Sequence, residues 1–211
     1  TANGRVLVST DTGAIHCFGN GALAPQPAKM TTEPFPAEPT IAQTAQAIIA
    51  KASAHKGYCL VIGKGSAQLG YEIVKRSNLQ VFCAEYDEAD VKQAQQGLDA
   101  TGLYGRRVVV NLVTPDALPY SDYFANLVVQ LTAPGQPVPS AKEMLRVMKP
   151  FGGMLLAGQI TRTGSTPLSQ ETIALLKTAG EFTADNTLVP NAAPWAIFKR
   201  GPLPGAGSWT H

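Results

Sequence analysis

The stretch CLVIGKGSAQLG, residues 59–70, sets four apolar residues against a glycine turn and then opens what reads as a helix. A strand that ends on glycines and runs straight into a helix is the first half of a βαβ unit. Gly63 and Gly65 free the backbone for φ values closed to other residues, and they let the main chain approach a ligand. The exposed N–H groups at the start of the following helix favour a negative group. The spacing is G-x-G with Ala67 and Gln68 beyond it, so the dinucleotide pattern G-x-G-x-x-G is not met, and a phosphate-loop Gly-Lys-Ser/Thr does not follow Lys64 either.

Working outward, the same alternation repeats. Ile41, Ala45, Ile48, Ile49 and Ala52 share one face behind Thr40, with Gln43 three residues on, which predicts a capped helix over 41–55. Strands are expected at 59–62, 80–84, 107–113, 126–130 and 154–157, with helices over 67–77, 88–101 and 141–149. Asp87 is the expected cap of the second of these, and Ser140 with Glu143 forms a capping box for the third. A last helix over 170–179 ends at Gly180, and strands near 182–189 and 195–199 are joined by PNAAP, too short for a helical crossover, so that pair is antiparallel. The expected fold is α/β: a Rossmann-like three-layer sandwich on a mostly parallel sheet.

Composition removes several classes of function. Charged residues make up 15% of the chain and the net charge is +2, without the dense basic footprint of nucleic-acid binding. No apolar run reaches the roughly 20 residues of a membrane span. Cys17, Cys59 and Cys83 lack the spacing of a metal site, as do His16, His55 and His211, so no metal is expected; Cys59 and Cys83, inside apolar runs, read as buried thiols. There is no G-x-S-x-G elbow, and Ser66 reads as a helix cap.

The carboxylate that matters is Glu85, at the tip of the second predicted strand, where it faces the crevice of the glycine turn and can accept from both hydroxyls of a ribose. At this point residues 40–200 resemble a class I S-adenosylmethionine-dependent methyltransferase. The resemblance rests on CLVIGKGSAQLG, on VFCAEYDEADVKQAQQGLDATGL (81–103), on TPDALPY (114–120) and on EMLRVMKPFGGMLLAG (143–158). It implies a seven-stranded sheet with an antiparallel last strand, and S-adenosylmethionine as cofactor. It also implies Gly63 and Gly65 under the methionine moiety, Glu85 on the ribose, Tyr86 against adenine and Asp116 near the adenine amine, with Thr114 as a rival position for that acid. Val61, Ala67 and Asn126 stand where relatives carry an acid, a glycine and an aspartate. Gln130, Tyr120, Asp122, Tyr123 and Gln159 are the groups expected to face a methyl acceptor, and no base stands out among them.

The ends differ. NGRVLVSTDTGAIHCFG (3–19) reads as a β-hairpin around Asp-Thr-Gly and resembles a repeat of a pyrroloquinoline-quinone-type β-propeller; GPLPGAGSWTH (201–211) resembles the lead-in to another blade, with Trp209 as its docking aromatic. The expected organisation is a hairpin over 1–20, a proline-rich linker over 21–39, the methyltransferase-like domain over 40–200 and a tail over 201–211. Three functions stay open: a methyltransferase for a small acceptor, a non-catalytic docking domain in a larger β-propeller protein, and a nicotinamide-dependent oxidoreductase. The first implies the cytoplasm, and the second allows an exported parent.

Overall fold

The computed structural model describes residues 4–10, 15–21, 33–160, 168–185, 188 and 194–206. Two strands, β1 (Val6–Ser9) and β2 (Ile15–Phe18), form a separate antiparallel hairpin. Seven more make one sheet: β3 (Lys56–Ile62), β4 (Asn78–Glu85), β5 (Val108–Leu112), β6 (Leu127–Leu131), β7 (Met154–Gly158), β8 (Gly180–Asp185) and β9 (Trp195–Arg200). Their spatial order is β5-β4-β3-β6-β7-β9-β8, in which β9 alone runs against the rest. This is the expected mostly parallel, Rossmann-like sandwich.

Alternation along the strands divides the core. Cys59 and Val61 of β3 and Val81 and Cys83 of β4 point to one face, where they meet α1 (Pro39–Lys51), α2 (Ser66–Arg76) and α3 (Glu88–Asp99). Leu60, Ile62, Val128 and Leu155 point to the other, covered by α4 (Ala141–Val147), α5 (Gln170–Ala179) and the irregular crossing from Val113 to Ala125. Burying each of these large side chains contributes about 2 kcal/mol. Cys59 and Cys83 are free thiols in the first core, and burial raises the pKa of both.

Local chemistry explains where elements depart from expectation. The helix expected over 41–55 spans Pro39–Lys51, because proline at the first helical position lacks only an N–H that would go unused there; Glu38 is its N-cap and Thr40 lies inside it. Residues beyond the helix are drawn into β3, which pairs from Lys56 with Asn78. The end of the expected linker is also docked, with Phe35 against Tyr71 (5.9 Å) and Gln68 donating to the Pro36 carbonyl (2.9 Å). Asp87 caps α3 by accepting from the Ala89 and Asp90 amides. Val189, Trp209 and His211, named in the sequence reading, lie outside the described residues.

The capping box at Ser140 forms by half. Ser140 accepts from the Glu143 amide (3.2 Å), but the Glu143 carboxylate turns away to the Leu118 amide (2.8 Å) and to Arg146 (2.6 and 2.8 Å). Arg146 also donates to the Leu118 and Tyr120 carbonyls and to Asp122, so one ion pair pins the irregular crossing onto α4. Replacing Arg146 by Met strands Glu143 and is expected to cost about 2 kcal/mol, short of a fully buried pair because the guanidinium is 31% exposed. Arg146 holds the Glu143 carboxyl below its ordinary range. That stabilisation is therefore complete above the unfolded carboxylate pKa and is lost as pH falls through the lower folded value. Urea unfolding of both proteins at neutral and acid pH checks this, and the gap should close on the acid side.

Candidate functional site

Strand order reverses between β3 and β6, and the carboxyl ends of the strands at such a switch point are where a doubly wound sheet forms its ligand crevice. The first wall is the turn after β3. The Gly63 amide donates to the Ala84 carbonyl (2.9 Å) and the Ser66 amide to the Gly63 carbonyl (3.0 Å), which folds the chain into α2 within three residues. The two glycines do different work. A Cβ on Gly63 (φ 112°) would stand 2.6 Å from the Leu131 carbonyl oxygen, so this glycine lets β3 and β6 approach; a Cβ on Gly65 (φ 82°) would meet nothing within 4 Å.

Glu85 closes β4 and is 2% exposed. Its Oε1 accepts from the Ser66 hydroxyl (2.9 Å) and the Ala67 amide (3.3 Å), where the positive end of α2 favours a carboxylate. Ser66, expected to cap the helix, instead sits inside it with Gly65 as N-cap, and its hydroxyl is spent on Glu85. Burial pushes the Glu85 carboxyl up, and those two hydrogen bonds oppose the rise. Tyr86 follows, its ring packed on the second core and its hydroxyl buried beside the Gln130 amide; burial pushes this phenol up to about 12.

Among the described residues seven buried side-chain polar atoms lack a hydrogen-bond partner: Glu85 Oε2, Tyr86 OH, Gln130 Oε1, Thr132 Oγ1, Gln136 Oε1, Gln159 Oε1 and Trp195 Nε1. Each such atom costs about 1–3 kcal/mol. All seven lie at or just beyond the carboxyl edge of the parallel strands: two at the tip of β4, three at the end of β6 and in its loop, one after β7 and one at the first residue of β9, which starts on the same edge. Unmet hydrogen-bonding capacity gathered at one edge is what a polar ligand would satisfy. No group of three or more metal-ligating side chains occurs among the described residues, and no helix there is long and apolar enough to cross a membrane.

The structure brings Gly65, Glu85, Tyr86, Gln130 and Gln159 to this edge. Asp116 is exposed on a turn after β5, closed by the Ala117 amide on the Thr114 carbonyl (3.3 Å). Others move away from the crevice. The crossing after Val113 carries the chain back down the sheet, so Asp122 and Tyr123 lie at the opposite, amino edge, joined to Arg146. Tyr120 is buried in an aromatic stack with Phe124, accepts from Asn111 (3.2 Å), and has its phenol pushed up to about 12 by burial. Asn126 is also at the amino edge, where its Oδ1 accepts from the Tyr58 amide (3.1 Å) and fills the space left by Gly57. Val61 is wholly in the apolar core. Ser66, Thr132, Gln136 and Trp195 were missed as site residues; a hydroxyl directly after the glycine turn was the one available signal.

Solved structures of the same fold bear on the crevice. A protein of Methanococcus maripaludis described as an S-adenosyl-L-methionine-dependent methyltransferase superposes with a TM-score of 0.62 over 78% of this chain and 87% of its own, at 16% identity. A SAM-dependent methyltransferase from Aquifex aeolicus gives 0.54 over 77% and 93%, at 14% identity. The [4+2]-cyclase SpnF gives 0.59 over 77% and 82%, at 16% identity. At these identities the likeness establishes the fold, which is that of class I methyltransferases. No family model matches the sequence, and no curated protein matches it either.

Proposed function

We propose that the carboxyl-edge crevice binds S-adenosylmethionine and that the chain transfers its methyl group to a small acceptor. The observation that carries this reading is the gathering of unpartnered buried polar atoms around Glu85. A ribose presents two adjacent O–H donors, and Glu85 Oε2 is an acceptor in want of one. Gly65 leaves open space beside the turn for the methionine moiety, Gly63 shapes that turn, Tyr86 offers a ring for adenine, and Asp116 stands on the rim for the adenine amine. The cofactor supplies an electrophilic methyl on a sulfonium. The protein's part is to hold and orient the acceptor, with Gln130 and Gln159 as the polar groups nearest that task, because alignment alone carries much of such a transfer.

Isothermal titration with S-adenosylmethionine and S-adenosylhomocysteine tests the reading directly. Saturable micromolar binding of both is expected. Absence of heat and of any thermal shift at millimolar ligand would overturn it.

A second reading has its own observation. All eight residues of β1 and β2 are exposed, including Val6, Leu7, Val8, Ile15 and Phe18, so apolar side chains stand on both faces of the hairpin. A two-stranded ribbon is marginal by itself. This supports a docking domain whose hairpin is completed by further strands, with no catalytic duty for the crevice; a larger β-propeller protein is the parent this reading proposes. The same titration separates the two readings.

A further inference from the structure

The amino edge of the sheet carries two depressions of about 570 and 550 Å³ that share Asn126 and Lys149. Neither belongs to the crevice, which lies at the other ends of the strands. The larger is lined by Lys149, Lys199, Arg200, Glu181 and Phe151. Arg200 is committed to the fold: it donates to the Leu145 and Met148 carbonyls and lies 5.1 Å over the Tyr123 ring. Lys149 and Lys199 have no acidic partner among the described residues.

The rim is strained as well as charged. Phe151 (φ 56°) and Tyr123 (φ 59°) are the only non-glycine residues with positive φ among the described residues, and they flank these two depressions. An L-residue in the left-handed region costs about 1–2 kcal/mol. Phe151 compounds this by standing 70% exposed, in a turn that continues with Gly152 and Gly153. Among the described residues no ring stacking or cation contact engages the Phe151 ring, and it belongs to neither core. Strain kept without a packing return points to function.

We propose that the larger cavity binds a small planar organic anion, its charged group met by Lys149 and Lys199 and its ring by Phe151. The volume is that of a small-molecule site. Glu181 lines the same cavity across from Lys199, so a ligand with one compact charged end is required there, and an extended nucleic acid or acidic peptide, which spreads its charge past that carboxylate, fits less well.

The probe is 1-naphthyl phosphate, titrated into the whole chain beside inorganic phosphate and 1-naphthol and followed by backbone amide NMR. Saturable shifts confined to residues 149–153 and 199–202 are expected, with phosphate and naphthol each at least about tenfold weaker. Lys149→Gln with Lys199→Gln, and separately Phe151→Gly, should each weaken the probe about tenfold. Phe151→Gly should not lower the melting temperature, since it relieves the left-handed strain. The proposal is overturned if the probe does not saturate, if neither variant weakens it, or if oligothymidylate or polyglutamate binds this edge and the probe does not. It stands whether or not the crevice takes S-adenosylmethionine.

Discussion

Glu85→Gln will weaken S-adenosylmethionine binding about 100-fold, or about 2.7 kcal/mol, while moving the melting temperature by only a few degrees. The two effects separate because the carboxylate does two things. Toward the protein, Oε1 accepts from Ser66 and Ala67, and an amide oxygen replaces it there. Toward the crevice, Oε2 is buried with nothing to accept, and a glutamine nitrogen cannot accept from a ribose hydroxyl. Burial also raises the Glu85 pKa above its ordinary value, against the hydrogen bonds from Ser66 and Ala67. The folded state then holds its proton to higher pH than the unfolded chain does, and this group's contribution to stability falls as pH rises through the folded value. Binding runs the other way, because the ribose needs the ionised form. Affinity should rise with pH through that titration in the native chain and stay flat in the variant. Titration calorimetry across the acid range would show both, and a variant that binds as well as the native chain would remove Glu85 from the site.

Gly63→Ala carries the largest expected cost in stability, about 4 kcal/mol, read as a fall of roughly 12 °C in melting temperature. Two penalties add. The φ of 112° is one that L-residues rarely adopt, and the new methyl would stand 2.6 Å from the Leu131 carbonyl oxygen, a backbone atom of a residue held opposite Gly158 of β7, next to the last residue that β6 pairs with β3. Gly65→Ala is the internal comparison. It meets the first penalty at φ 82° but faces open space, so about 1 kcal/mol is expected. If the two variants melted together, the close approach of β3 to β6 would not be what fixes a glycine at 63.

Much of this architecture was legible because the chain is locally consistent. Runs such as Leu127–Leu131, apolar but for Gln130, are short, bounded by turn residues and buried throughout, and the PNAAP link is too short for anything but an antiparallel end. The site was legible only where chemistry follows chain order: Glu85 and Tyr86 fall at a strand tip, and a strand tip has one place to be. Tyr120, Asp122 and Tyr123 were expected in the crevice because they follow strand β5, whereas the chain between Val113 and Ala125 spends its length returning to the other edge. Glu143 shows a related limit. Its spacing from Ser140 is that of a capping box, but Arg146 one turn along offers a charge-assisted partner, and that is stronger than a main-chain amide. Trp195 and Thr132 become polar orphans only when β6, β7 and β9 lie side by side, a juxtaposition with no local signature.

Strand β3 runs without interruption from Lys56 to Ile62, one residue before the glycine turn, and near its start the Tyr58 amide donates to Asn126, which lines both amino-edge depressions. Seven residues at about 3.3 Å each make a rod of roughly 23 Å, paired with β4 along its whole length and with β6 from Cys59 onward. A rod so clamped slides as a unit or not at all. An occupant at one end that displaced it would shift the Gly63 turn by the same amount, and thermodynamic reciprocity would then oblige each ligand to alter the other's dissociation constant by an identical factor.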